Sequence, residues 1–335
     1  MAETLLASET VDLIVLERNG FVESRHRGSA VVVDATGGVL GALGDPGVLV
    51  YPRSSLKPFQ ALASMQSGVP LRGAQVALAC ASHVGSIEHT EVVQSMLAKA
   101  GLSESDLLCP AAWPADEQTR TERIRAGLGK SALCFNCSGK HAAFLWACKE
   151  KGWDTKTYLS AEHPLQKRVI EVIEEYAGEP ISHLGVDGCG APVPVISLAG
   201  LARAGSKLAQ APGNKHADAR AATIATAMLD YPWAVQGHGK PNSVVMEDLG
   251  VIAKLGAEGV LVLAAPCGIA VAVKMSDGSG RGSDLLALTL LANAGAISTT
   301  ELADTLAKLT HPVLGGGIQV GSVRLAKPVM DLLDA

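Results

Sequence analysis

Tyr51-Pro52-Arg53-Ser54-Ser55-Leu56-Lys57-Pro58-Phe59-Gln60 carries the only Ser-x-x-Lys of the chain, Ser54 and Lys57. A proline is tolerated only in the first turn of a helix, where the N–H groups have no intrahelical partner. Pro58 therefore predicts a helix starting near Ser54. Residues three apart share a helix face, so the Lys57 amine is within reach of the Ser54 hydroxyl. A desolvated lysine can take a serine proton, and a helix N-terminus favours an anion forming on an attacked carbonyl. About one such tetrapeptide arises by chance in a chain of this composition. By itself the pattern is equally that of a helix cap followed by a solvated lysine.

On the N-terminal side of this stretch the pattern is β. Val11–Leu16 alternates apolar and polar residues, and Asn19-Gly20 is a strong hairpin turn into Phe21–Arg25. Ser29–Asp34 and Val39–Leu43 make a second pair. On its C-terminal side helices dominate: Ile87–Ala100 behind a Ser86 cap, Ala142–Lys149, and a helix from Pro164 ended by Gly178 and Pro180. Further helices are expected over Pro194–Ala204, His216–Leu229, Ser283–Ala294 and Thr300–Leu309. Gly259–Ala265 and Ile269–Met275 read as a hairpin, and a short strand starts at Gly316. Strands from both ends with helices from the middle give an α+β fold, an antiparallel sheet flanked by helices. No repeat or linker interrupts it, so residues 1–335 form a single domain.

Composition narrows the function. With 48% hydrophobic residues in 335, a large core is available. A net charge of −5 and only 4% aromatics leave no basic stripe with stacking residues, which argues against nucleic acid. No apolar run reaches membrane-spanning length. Met1–Thr10 lacks the order of an export signal, and seven cysteines is an odd number, so a reducing, cytoplasmic setting is expected.

Other residues stand out by position. On the strand Ile269–Met275, Lys274 shares a face with Ala270 and Ala272, a face clear enough to hold an amine in a pocket; a lysine blunting an edge strand fits equally. Cys137 and Lys140 sit at the mouth of a helix and Cys189 in a glycine-flanked turn. By spacing these are either buried structural thiols or donors to one ion, since lysine is a poor ligand until deprotonated.

Taken together, Pro52–Gln60, Cys80-Ala81-Ser82-His83, Asn136-Cys137-Ser138-Gly139-Lys140-His141 and Gly185-Val186-Asp187-Gly188-Cys189-Gly190 closely resemble the rhizobial-type (class 3, asparaginase II) L-asparaginases. The resemblance runs from Glu23–Gly28 to Gly315–Gly317. It implies a fold similar to that of serine β-lactamases and glutaminases. It also implies hydrolysis of L-asparagine by paired Ser–Lys groups, Ser54 with Lys57 and Ser82 with Lys274, through a covalent acyl-enzyme. Either serine could attack first. The resemblance further implies zinc at Cys137, Lys140 and Cys189, and a homodimer. Arg53, Asp187, His83 and His141 lie inside motifs and are candidate substrate-binding residues, although a surface arginine, a turn aspartate and packed histidines explain them as well. Glu23 and His26 are weaker candidates. The rival readings are a glutaminase-like Ser–Lys amidohydrolase, or a non-catalytic protein of this fold that binds zinc or an amino acid.

Overall fold

The computed structural model describes residues 3–310 and 312–334; Met1 and Ala2, the first residues of the opening read for an export signal, lie outside them. The strands are β1 (Val11–Arg18), β2 (Phe21–Val33), β3 (Val39–Leu43), β4 (Leu49–Val50), β5 (His183–Val186), β6 (Pro192–Ser197), β7 (Ile252–Gly256), β8 (Val260–Ala264), β9 (Ala270–Met275), β10 (Val313–Gly315) and β11 (Ile318–Leu325). One antiparallel sheet runs β10-β11-β1-β2-β9-β8-β7, with β3 also paired to β2. A small sheet, β4-β6-β5, stands apart.

β2 organises the main sheet. The segments expected as Phe21–Arg25 and Ser29–Asp34 are one strand of 13 residues. Its first half pairs with β1 across the Asn19-Gly20 turn, and its second half pairs with β3 and, on its other edge, with β9. The run survives Gly28 because the Lys274 carbonyl packs where a side chain would stand. β8 and β9 are buried at every position, so both sheet faces are covered. The helix Leu198–Gln210 packs on β2, β8 and β9, with Gly205 facing a Val262 methyl.

Three differences from expectation have local causes. Pro194 does not start a helix: Pro192–Ser197 is fully buried β6, and the Ser197 side chain caps the helix Leu198–Gln210 by accepting from Gly200 N–H. Residues 101–130, for which the sequence pattern predicts no helix, contain a polar one, Glu117–Arg125, capped by Asp116. β7 carries only five residues and lies at the sheet edge beside the serine turn.

The serine stretch folds as expected from Pro58. A 3-10 turn, Arg53–Leu56, feeds the helix Lys57–Gln66, with Pro58 in its first turn. That helix is buried from Lys57 to Met65 and packs against the helices Ser138–Lys151 and Pro164–Ala177. It is the centre of the helical layer, so its first turn is held by surroundings rather than by a side-chain cap.

Candidate active site

Arg53 sits in the left-handed region, φ 54°, immediately before Ser54. A non-glycine residue holds that conformation only where its surroundings impose it, and such strain gathers at functional sites. Here the turn is pressed onto β7: a Cβ at Gly256 would stand 2.3 Å from the Pro52 carbonyl oxygen. Only glycine allows that approach.

The hydroxyl at the centre is that of Ser82. Lys57 donates to it at 3.0 Å and Lys254 lies 2.9 Å from it. The Lys57 amine also reaches the Ala81 carbonyl and, at 3.2 Å, the Asn136 carbonyl. Three acceptors surround it, one for each hydrogen of an ammonium group. Lys254 is fully buried, with the Leu255 carbonyl as its second partner at 2.9 Å. Burial, and then the positive charge of Lys57, hold its pKa well below the usual lysine range. Lys254 Nζ donates to both Ser82 Oγ and Leu255 O; in its neutral form the amine keeps the Leu255 bond and offers its lone pair to the Ser82 hydroxyl. The segment holding Ser82 is itself pinned, because Ser82 N–H donates to Val235 O and Val84 N–H to Gln236 O.

This arrangement changes two expected pairings. Lys57 is hydrogen-bonded to Ser82, and among the described residues the Ser54 hydroxyl has no hydrogen-bond partner. Lys274 is not the amine beside Ser82: its Nζ donates to the carbonyls of Glu258 and Met275, at 2.5 and 2.8 Å. Register explains the difference. Lys254 pairs with Val262 on β8, Gly256 with Val260, and Val260 with Lys274 on β9. Cross-strand partners point to one side, so both lysines share a face, but Lys274 lies two strands farther from the serine turn. The sequence reading missed Lys254. Its signal is a lysine in an otherwise apolar strand, Ile252-Ala253-Lys254-Leu255-Gly256, with the Lys-x-Gly order that Lys274-Met275-Ser276 lacks.

The thiol cluster lies beside this centre. Lys140 Nζ donates to Cys189 Sγ at 3.0 Å, and Cys189 Sγ lies 3.7 Å from Asp187 Oδ2. All three donor residues are buried. A hydrogen bond from Cys189, aided by Lys57 and Lys140, holds the Cys137 thiol well below its usual pKa. Burial works against charge on Lys140, but the Cys189 and Cys137 sulfurs outweigh it and raise the amine above its ordinary value. Among the described residues no three His, Cys, Asp or Glu side chains gather in metal-binding geometry. A metal site here is complete only with the lysine. Two close sulfurs, one favouring thiolate, plus one amine fit a soft divalent ion once that amine gives up its proton.

Arg53 and Asp187 meet each other, Nε to Oδ1 at 2.7 Å. Asp187 also accepts from Gly188 N–H at 2.8 Å, and it thereby links the serine turn to Cys189. His83 is buried with both ring nitrogens occupied, by Ser138 Oγ at 2.9 Å and Gly85 N–H at 3.1 Å, so it braces the loop after Ser82. His141 is bonded through Nδ1 to the Tyr158 hydroxyl at 2.7 Å, while its buried Nε2 has no protein partner. Glu23 pairs with Arg18 at the exposed hairpin, and His26 with Asp277 at 2.6 Å; the structure brings neither to Ser82.

Comparison with known proteins adds the family. No curated protein matches the sequence. Among solved structures, Mglu in its native form is similar at 16% identity and TM-score 0.45, over 81% of this chain and 64% of Mglu. Mglu in its glutamate form gives 16% and 0.46, over 80% and 61%. A Bacillus glutaminase gives 13% and 0.36, over 80% and 91%. The chain thus spans less than two thirds of the Mglu chains it matches. The sequence profile described as L-asparaginase II matches residues 14–325, which takes in the serine turn, both lysines and the thiol cluster. A match over nearly the whole length, on a fold whose motifs converge on one buried centre, makes this chain a member of the L-asparaginase II family.

Proposed function

We propose that the protein is an L-asparaginase, hydrolysing L-asparagine to L-aspartate and ammonia by way of a β-aspartyl ester. The observation that carries this reading is the Ser82 hydroxyl between two lysine amines, one of them fully buried with its pKa held well below the lysine range. A hydroxyl that takes a hydrogen bond from one amine and gives its proton to the other is built as a shuttle. Ser82 hands its proton to Lys254 and takes one from Lys57; the Lys57 amine so freed turns its lone pair from Ser82 to Ser54 and takes the hydroxyl proton as Ser54 attacks the side-chain carboxamide carbon. The helix N-terminus favours the oxyanion. As the C–N bond breaks, the chain runs in reverse and Ser82 protonates the departing nitrogen, releasing ammonia. Water then cleaves the ester.

A second reading, with Ser82 as nucleophile and Lys254 as its direct base, is favoured by their 2.9 Å contact. Intact-mass analysis separates the two. With a slow β-aspartyl hydroxamate substrate, Ser54→Ala is expected to show no added aspartyl mass, whereas Ser82→Ala still acquires it slowly. An adduct on Ser54→Ala refutes the first reading. No ammonia from asparagine with the wild type refutes both; ammonia from glutamine then leaves the glutaminase-like reading, and none from either amide leaves a binding protein.

Cys137, Lys140 and Cys189 would hold zinc, which when bound supplies positive charge that keeps both sulfurs deprotonated. In this reading the chain works as a homodimer in the cytoplasm. Seven free cysteines, six of them buried, suit a reducing compartment.

A further inference from the structure

A substrate with an α-carboxylate needs a cation to receive it, and Arg53 already faces Asp187 at 2.7 Å. Lys274 is differently placed. Among the described residues it makes no salt bridge, and its Nζ donates only to the carbonyls of Glu258 and Met275, leaving one ammonium hydrogen without an acceptor. The side chain lies on the face of the sheet that carries Lys254 and Gly256, one strand beyond Val260. Gly256 is where the Pro52-Arg53-Ser54 turn touches the sheet. The charged groups near its amine are Glu258, Asp277 and Arg53. The two carboxylates are not within ion-pair distance, and Arg53 adds a second positive charge toward the serine turn. The turn that presents the Glu258 carbonyl is itself constrained, with Glu258 at φ 62°. The amine is therefore held in place by backbone, 7% exposed overall, with no carboxylate at ion-pair distance among the described residues.

We propose that Lys274 receives the α-carboxylate of the amino-acid substrate. It is a specificity-determining residue rather than the second catalytic lysine. This rests on the amidohydrolase reading above. The substrate class is amides that carry an α-carboxylate; decarboxylated analogues lack the group that Lys274 engages.

The test compares L-asparagine with 3-aminopropanamide, which is asparagine without its carboxylate, in the wild type, Lys274→Met and Lys274→Arg. A hydrogen bond between charged groups sets the scale, so Lys274→Met is expected to raise KM for asparagine about 10- to 100-fold. kcat should stay within about threefold. kcat/KM for 3-aminopropanamide should not move, and Lys274→Arg should recover most of the asparagine KM. An equal loss on both amides means a structural role and overturns the proposal, as does an unchanged asparagine KM. If the wild type hydrolyses neither amide, the proposed reaction fails on its own. Calorimetry with L-aspartate then decides about Lys274: binding weakened about tenfold or more in Lys274→Met supports it, and equal or absent binding in both proteins refutes it.

Discussion

At the scale of single residues, the chemistry depends on one uncharged amine in a site that holds another lysine. Burial, and then the charge of Lys57, favour that state in Lys254, and among the described residues no carboxylate pairs with it. Replacing it with methionine removes the terminal proton acceptor, and kcat should fall about 10²- to 10⁴-fold. The pH dependence follows in sign. The amine must be neutral to work, so kcat/KM rises as pH passes upward through the depressed pKa and levels off below the usual lysine value of about 10.4. Activity that stays flat from acid through strongly alkaline pH contradicts this.

The same depression affects stability. Between the folded and unfolded pKa values the unfolded chain binds more protons, so folding stability rises with pH through that window and levels off above about pH 10.4. Lys254→Met should flatten that rise, measured as Tm against pH. Lys274, also lowered by burial, contributes with the same sign and remains in the variant.

At the scale of elements, the close seat of the serine turn on β7 matters more than any side chain in it. A methyl group at residue 256 meets the Pro52 carbonyl, so Gly256→Ala must move the turn or the strand. Overpacking of this kind costs about 1–3 kcal/mol, and a displacement of about 1 Å at reacting groups costs about 100-fold in rate. Activity is expected to fall far more than Tm. A large loss of stability with normal kcat is the contrary result.

The serine turn was legible because Pro58 leaves only one register for a helix start. β7 was not: five residues with no turn dipeptide before them give little periodicity, and the lysine inside reads as a break. Missing that strand is why Lys274, on the second strand of the late hairpin, stood in for Lys254. The thiol cluster was legible only as a motif, because Cys137 and Cys189 come together through tertiary packing that spacing does not encode. The 3.0 Å contact between Lys140 and Cys189 makes a direct test. Zinc content by elemental analysis should be near one ion per chain and be lost in Cys189→Ser; equal zinc in both proteins contradicts the assigned site.

At the scale of the molecule, the sheet joins both ends of the sequence around β2, and the helical layer sets its buried first turn against the far edge strand. That α+β layout could be read from the alternation near the N-terminus and the late hairpin, since both patterns have period two. What could not be read was strand order, because neighbours such as β1 and β11 are brought together by the whole fold. The outer end of this sheet exposes Phe21, Leu314 and Ile318, at 74%, 53% and 72%, on adjoining hairpins. Their placement suits the proposed homodimer. Light scattering should give twice 34.4 kDa for the wild type and a shift toward monomer for Ile318→Asp. A wild-type monomer, or an undisturbed dimer in the variant, removes this edge as the interface.

Which lysine completes the relay decides the mechanism, and one measurement addresses that: kcat for L-asparagine in Lys254→Met and Lys274→Met, side by side at saturating substrate. The structure predicts a loss of at least about 100-fold for Lys254→Met and a kcat within about threefold of wild type for Lys274→Met. The reverse order, with Lys274→Met inactive and Lys254→Met turning over normally, would contradict it.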